Sequence, residues 1–113
     1  MNSDLAPRPS SGELSQLEGS AQSAARLLKL LANEQRLLLL CRLIEGEASV
    51  GTLAAHARMA QSATSQHLAK MRAEGLVETR RDAQTIFYRL ADPAAMRVLG
   101  LLCEIYSHEL PVA

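Results

Sequence analysis

The sequence is poor in aromatic residues: its 113 residues include one Phe, two Tyr and no Trp. Apolar residues nevertheless make up 48 % of the chain. A core must therefore be built from Leu, Ala, Val, Ile and Met, a mixture that favours helices. The length suits one domain and is short for two.

Long hydrophobic runs are also missing. The longest, "LLLLC" at residues 37–41, is far shorter than the roughly 20 residues that a membrane span needs. The start, "MNSDLAPRPSSGE", lacks the features of a secretory signal and instead predicts a flexible tail over residues 1–13, ahead of a domain at 14–110. We expect a cytosolic protein without a membrane segment, whose two cysteines are reduced at rest.

The chain has no excess of charge, because its formal net charge is zero. This balance argues against a protein that coats nucleic acid without selectivity. Residues 58–89, however, hold six basic and three acidic residues, whereas the first 57 hold five and six. A locally basic segment on a neutral protein is typical of a specific DNA reader.

Apolar spacing predicts four helices in the first two thirds of the chain. Residues 14–32 carry one apolar stripe, residues 34–44 are apolar nearly all round and predict a central buried helix, and Asn33 is its expected cap. A short helix follows from Ser49 to about residue 58. The fourth begins at Gln61, and glycine ends it near residue 75.

Two strands and a last helix complete the predicted order. Residues 76–79 and 85–90 are short runs with β-branched and aromatic members, and "RRDAQ" between them predicts a hairpin with a longer loop. Asp92 is the expected cap of the last helix. That helix is apolar on two sides, more than one copy can cover, so we expect a homodimer through the first and last helices.

A mainly α chain with a small β-hairpin in this order is predicted to be a winged helix-turn-helix domain. The fourth helix would then present its first turns to the DNA major groove, where hydroxyls and amides donate and accept hydrogen bonds without repelling phosphates. The candidates for base or nearby backbone contact are Gln61, Ser62, Thr64, Ser65, Gln66 and His67. The candidates for phosphate are Lys70 and Arg72, and those at the wing are Arg80, Arg81 and Gln84. A solvated polar helix face is the alternative interpretation.

Three stretches also resemble a known family: "LLKLLANEQRLLLLCRL", "QSATSQHLAKMRAEGLVETRRDAQTIFYRL" and the closing apolar helix. They are similar to the ArsR/SmtB family over about residues 20–108. The resemblance implies a dimeric bacterial repressor that binds palindromic operator DNA and releases it when a small inducer binds or oxidises the protein. One departure is Ala60, where the family usually has a Ser cap for the recognition helix.

The metal sites of the family are poorly matched. Metalloid-binding members have Cys-Val-Cys where this chain has Ser49-Val50-Gly51. The nearest equivalents of a zinc site on the last helix are Glu104, His108 and Glu109, and one His with scattered carboxylates is more typical of a solvated helix end. We therefore predict no metal or other cofactor, and a metal-responsive or other ligand-responsive repressor stays as the alternative.

Within the family, the chain is most similar to BigR/SqrR-like repressors, which sense reactive sulfur species or oxidants and have one Cys in the second helix, as Cys41 is here. Their second Cys follows a Tyr near the end of the last helix. Here Tyr106 precedes Ser107, and the second thiol is one turn earlier, at Cys103. The hypothesis is that Cys41 reacts first and Cys103 resolves it; inert core thiols are the alternative.

Two other functional classes make different predictions. A helical interaction module without a DNA role would show no salt-dependent binding to duplex DNA. An enzyme is not predicted, because no glycine-rich phosphate loop or paired nucleophile and base emerges. Ser65 and His67, two residues apart, would point to different sides of one helix.

Overall fold

The computed structural model describes residues 7–107, which form two compact units that divide between Leu30 and Leu31. Within these residues, no helix has the length and apolar character to cross a membrane.

The first unit contains helices α1 (Ser11–Gly19) and α2 (Ala21–Leu31, whose last residue belongs to the second unit). Ser10 caps α1: its hydroxyl accepts from the Glu13 amide at 3.1 Å, and the Glu13 carboxylate accepts from the Ser10 amide at 2.8 Å. The single helix predicted over 14–32 is wrong, because Ser20 interrupts it after Gly19, and both residues are weak helix formers. The helix also begins inside the predicted 1–13 tail, of which residues 1–6 lie outside the described residues.

The second unit contains helices α3 (Glu34–Ile44), α4 (Val50–Ala57), α5 (Gln61–Ala73) and α6 (Pro93–Ser107). Their predicted caps are confirmed. The side chains of Asn33 and Ser49 accept hydrogen bonds from the amides three residues later, and Asp92 accepts from the Ala94 amide at 2.9 Å. The cap positions fix where each helix begins and therefore which residues face inward.

The core of this unit is aliphatic, as the composition predicts. Leucines from α3, α4, α5 and α6 meet at its centre. The largest fully buried side chains are Leu39, Leu40, Leu53, Leu68, Met71, Leu76, Leu99 and Thr64.

A three-stranded antiparallel sheet covers one side of these helices. Strands β1 (Ala48–Ser49), β2 (Val77–Asp82) and β3 (Thr85–Leu90) lie in the order β1-β3-β2. The sequence prediction missed β1, since two residues are too few for a periodic pattern. The architecture is the predicted winged helix-turn-helix, in which β2 and β3 form the wing.

The wing turn is tighter than predicted. Asp82 pairs with Thr85, so Ala83 and Gln84 alone connect the strands, and the expected longer loop is wrong. Ala83 has a φ of 56°, in the left-handed region that two-residue hairpin turns require. Nothing in the "RRDAQ" composition indicates this, because alanine rarely adopts that conformation.

Candidate nucleic-acid interface

The turn between α4 and α5 sets the direction of the candidate recognition helix. Arg58 ends α4 in the left-handed conformation, with φ 56° and ψ 47°. The Met59 amide then donates to the carbonyl of Ala54 at 2.9 Å. This closure of α4 lets the chain turn within three residues before α5 starts at Gln61.

The amino terminus of α5 lacks a side-chain cap. Ala60 occupies the cap position with φ −64° and ψ 147°, and no side chain there accepts a hydrogen bond. The departure noted in the sequence is thus present in the fold. The helix depends on its packing, through Leu68 and Met71, rather than on a cap.

Most of the predicted contact residues on α5 face solvent. Six of them form an exposed polar surface: Gln61, Ser62, Ser65, Gln66, Lys70 and Arg72. Thr64 is different, because it is fully buried and its hydroxyl donates to the carbonyl of Ala60 at 3.0 Å. Its inclusion among the base-contacting candidates is corrected: the hydroxyl is used inside the helix.

His67 is half-buried and joins α5 to α3. Its Nε2 lies 3.0 Å from Oε1 of Gln35. Further along, Arg36 and Glu74 form an ion pair of 2.9 Å between the same helices. Sequence reasoning missed both contacts, because partners more than 30 residues apart leave no local pattern.

The wing carries a second polar cluster, around Arg80. Its guanidinium donates to both carboxylate oxygens of Glu47, with distances of 2.8 to 3.1 Å, and lies 5.0 Å from the centre of the Phe87 ring. The hydrogen bond from Arg80 lowers the pKa of Glu47. Arg81 instead donates from Nε to the carbonyl of Ala83 at 3.1 Å, and Gln84 is exposed at the turn.

The two cysteines are accessible free thiols on neighbouring helices. Cys41 lies on α3 and Cys103 on α6, and these helices contact each other. Burial raises the pKa of the Cys41 thiol, and the charge of Cys103 raises it further. Cys103 is therefore close enough to affect the Cys41 thiol electrostatically.

Residues 7–107 contain no group of three His, Cys, Asp or Glu side chains arranged to hold a metal ion. His108 and Glu109, from the predicted zinc equivalents, lie outside this range. Ser49, at the position of the metalloid ligands, serves as the α4 cap, and its Oγ accepts from the Thr52 amide at 3.3 Å.

Helix α6 exposes a large apolar surface. Met96, Leu101, Ile105 and Tyr106 are 42 to 62 % exposed. A single chain in water rarely leaves such side chains uncovered along one helix.

Comparison with known proteins agrees with this geometry. The family model described as "Bacterial regulatory protein, arsR family" matches residues 33–79. The transcriptional activator HlyU of Vibrio cholerae is 45 % identical, over 82 % of this chain and 86 % of its own. The crystal structure of the transcriptional repressor BigR from Xylella fastidiosa is 41 % identical with a TM-score of 0.76, over 81 % of this chain and 94 % of its own.

A more distant solution structure is also similar over nearly all of both chains. It is the homodimeric winged helix-turn-helix DNA-binding domain of a Mycobacterium bovis protein, 29 % identical with a TM-score of 0.67, over 92 % of this chain and 93 % of that one. The identity to HlyU, over most of both sequences, shows common descent. The chain belongs to the ArsR family of bacterial regulatory proteins.

Proposed function

We propose that this protein is a homodimeric repressor in the bacterial cytosol, which binds palindromic operator DNA and releases it when Cys41 and Cys103 are modified by reactive sulfur species or an oxidant. Membership of the ArsR family makes it a DNA-binding transcriptional regulator rather than an enzyme. The operator, the homodimer, repression, the cytosolic location and the inducer go beyond family membership and belong to the proposal.

The observation that carries DNA reading is the exposed start of α5. Gln61, Ser62, Ser65 and Gln66 offer amides and hydroxyls to solvent, with no carboxylate in the same two turns. A glutamine amide can pair with the adenine edge through both its donor and its acceptor, and serine hydroxyls suit either base type or phosphate. Carboxylates at these positions would be repelled by the DNA backbone.

The exposed apolar side of α6 supports the homodimer. Leu101 and Ile105 lie one turn apart on it and remain 55 % and 42 % exposed in the single chain. A second copy related by a two-fold axis would cover this surface and place two recognition helices on successive major grooves, about 34 Å apart. The homodimeric Mycobacterium bovis domain supports the same assembly.

Repression is supported by BigR, which is called a transcriptional repressor, whereas HlyU is called an activator. Occlusion of a promoter needs only tight operator binding. Transcription in vitro from a template with the selected operator distinguishes the two: added protein should lower transcript yield, and an increase would contradict repression.

The proposed sensing chemistry is balanced with peroxide or a persulfide as the reactant. The Cys41 thiolate attacks peroxide, giving a sulfenic acid and hydroxide, and the Cys103 thiol then forms a disulfide as water leaves. With a persulfide donor, Cys41 takes the outer sulfur and the donor leaves as a thiol. Cys103 then attacks the Cys41 sulfur and hydrosulfide leaves.

Helix α3 supplies a connection from the thiols to DNA. Cys41 lies on α3, as do Gln35 and Arg36, which bond to His67 and Glu74 of the recognition helix. A bridge to Cys103 would pull α3 towards α6 and shift these attachments. The distance between the recognition helices in a dimer would change with it.

DNA binding is tested by selection from a duplex library whose random core, about 30 base pairs, spans two half-sites. The reduced protein should enrich a palindromic sequence, and its affinity should fall steeply as salt rises from about 50 to about 200 mM. Failure to enrich any sequence at low salt would contradict the proposal and favour a helical interaction module.

Sensing is tested with the enriched duplex. Reduced protein is treated with a persulfide donor or with peroxide, the thiols are mapped by mass spectrometry, and the affinity is measured again. In the wild-type protein both cysteines should be modified and the affinity for the duplex should fall. The Cys41→Ser variant, given the same treatment, should keep the affinity that it has when reduced. Unmodified thiols and unchanged affinity would contradict thiol sensing while leaving operator binding in place.

A further inference from the structure

The two faces of the wing present different side chains. Because neighbouring residues of a strand point to opposite sides, Arg80 and Arg81 cannot both face DNA. Directly paired residues share a side. The outer face carries the pairs Glu78 with Arg89, Arg80 with Phe87 and Asp82 with Thr85; the inner face carries Val77 with Leu90, Thr79 with Tyr88 and Arg81 with Ile86.

Burial shows which face meets the helices. Val77 is only 2 % exposed, while the side chain of Glu78 beside it is 48 % exposed. The inner face is therefore the one packed against the helices, and α5 contacts β2. Arg81 lies on this face, beyond the buried residues and on the side of the sheet that carries the recognition helix.

The charge of Arg80 is already compensated on the outer face. Glu47 holds the guanidinium with two-pronged geometry, Asp82 lies 3.9 Å away, and the Phe87 ring supports it. On the same face Arg89 pairs with Glu78. Turning Arg80 towards a phosphate would break the Glu47 pair and uncover Phe87.

Arg81 has no such partner. Between residues 7 and 107 it forms no ion pair, in contrast to Arg80 and Arg89 on the same two strands. Its guanidinium donates from Nε to the Ala83 carbonyl, which holds the side chain near the turn and leaves the two terminal nitrogens for another acceptor. An unpaired guanidinium fixed in this way suits a phosphate oxygen.

We infer that Arg81 is the wing residue that contacts DNA phosphate, whereas Arg80 is a positioning residue that, with Glu47 and Phe87, fixes the wing from its outer face. The inference rests on the proposed DNA binding. It gives different roles to two neighbouring arginines that sequence analysis places together as wing candidates. It also assigns Glu47 the role of keeping Arg80 away from DNA.

The experiment compares Arg81→Ala with Arg80→Ala in the full chain, using the duplex that the wild-type protein selects. Arg89→Ala is the matched control, because it removes an arginine already paired with a carboxylate. Affinity is measured by fluorescence anisotropy over a salt series, and thermal melting reports the fold. Loss of one phosphate contact per protomer should reduce the slope of log affinity against log salt by about 2 in a dimer.

Arg81→Ala should show this smaller slope with wild-type melting. Arg80→Ala and Arg89→Ala should keep the slope, and Arg80→Ala should melt at a lower temperature, because it removes the Glu47 contact. Glu47→Gln should keep the slope or make it steeper, since it frees a cation. A smaller slope in Arg80→Ala, or a wild-type slope in Arg81→Ala, would overturn the inference, whereas failure of the wild-type chain to select DNA would overturn the proposed function instead.

Discussion

At the scale of single residues, Cys41 combines solvent access with a thiol whose pKa is raised by burial. The thiolate is the nucleophile, so a raised pKa slows the first chemical step near neutral pH. Modification of Cys41 near neutral pH would therefore depend on a minor thiolate fraction.

The rate of Cys41 modification should therefore rise with pH. Below its pKa the thiolate fraction increases about tenfold for each pH unit, and because burial raises that pKa, the increase should continue beyond the range of an ordinary cysteine. Alkylation of Cys103→Ser protein by iodoacetamide, followed by mass spectrometry from pH 6 to pH 10 (roughly the range that brackets a thiol pKa), measures it. A rate that levels off at or below the pKa of a free cysteine would contradict the expectation.

Thr64 and Ser65 are adjacent but should behave differently. Thr64→Val removes the hydroxyl that bonds to Ala60, so we expect the free energy of unfolding to fall by about 1 kcal/mol. Ser65→Ala, at an exposed position, should keep the stability and weaken binding to the selected operator. Chemical denaturation and anisotropy measure the two effects, and equal stability losses in both variants would show that the burial difference has no consequence.

At the scale of elements, α5 is stabilised by packing and by contacts to α3 rather than by a side-chain cap at its amino terminus. Leu68 and Met71 anchor one side, and Gln35 and Arg36 hold two points along the helix. Its first turn is the least supported part, because Ala60 supplies no cap.

A serine at the cap should strengthen this helix. Ala60 already has the extended backbone of an N-cap, so Ala60→Ser should raise the free energy of unfolding by about 1 kcal/mol. The matched control is Ala69→Ser, an exposed position inside α5, where serine should be slightly unfavourable. Denaturation of both variants measures the difference, and a stabilising effect of the control as large as that of the cap would contradict the explanation.

At the scale of the whole molecule, a neutral chain leaves large apolar side chains exposed on several elements. Among the described residues, helix α6 exposes four of them, Met96, Leu101, Ile105 and Tyr106, whereas the wing exposes Ile86. Leu101 and Ile105 lie on α6, away from the candidate DNA-contacting residues in sequence, so we expect that self-association can be altered by mutation without replacing those residues.

Charge on the apolar side of α6 should prevent dimer formation. The double variant Leu101→Glu and Ile105→Glu places two carboxylates on the surface that we expect a second copy to bury. Sedimentation at micromolar concentration should show a monomer with lower operator affinity, while Glu104→Gln, an exposed change on the same helix, should stay dimeric. A dimer in the double variant, or a monomeric wild-type chain, would contradict the proposed assembly.

Local chemistry in the sequence was enough for the order and class of the four helices and the two wing strands in the second unit, although it missed the short strand β1. Asn33, Ser49 and Asp92 satisfy amides within three residues of themselves, and leucine spacing defines each buried face, so both signals are readable along the chain. The family resemblance was likewise carried by contiguous motifs. The same helical periodicity predicted that the first turns of α5 present an exposed polar face.

Only the tertiary structure decided which polar side chains remain free to contact a partner such as DNA. Thr64, His67 and Arg80 resemble their neighbours in the sequence, yet each has a partner inside the fold. For His67 and Arg80 that partner comes from a distant segment, whereas the Thr64 hydroxyl bonds to the carbonyl four residues earlier and is closed to solvent by the packing around it. Strand pairing sets the wing turn at two residues and puts Arg80 and Arg81 on opposite faces, because register is fixed by contacts across the sheet and not by the order of residues along one strand.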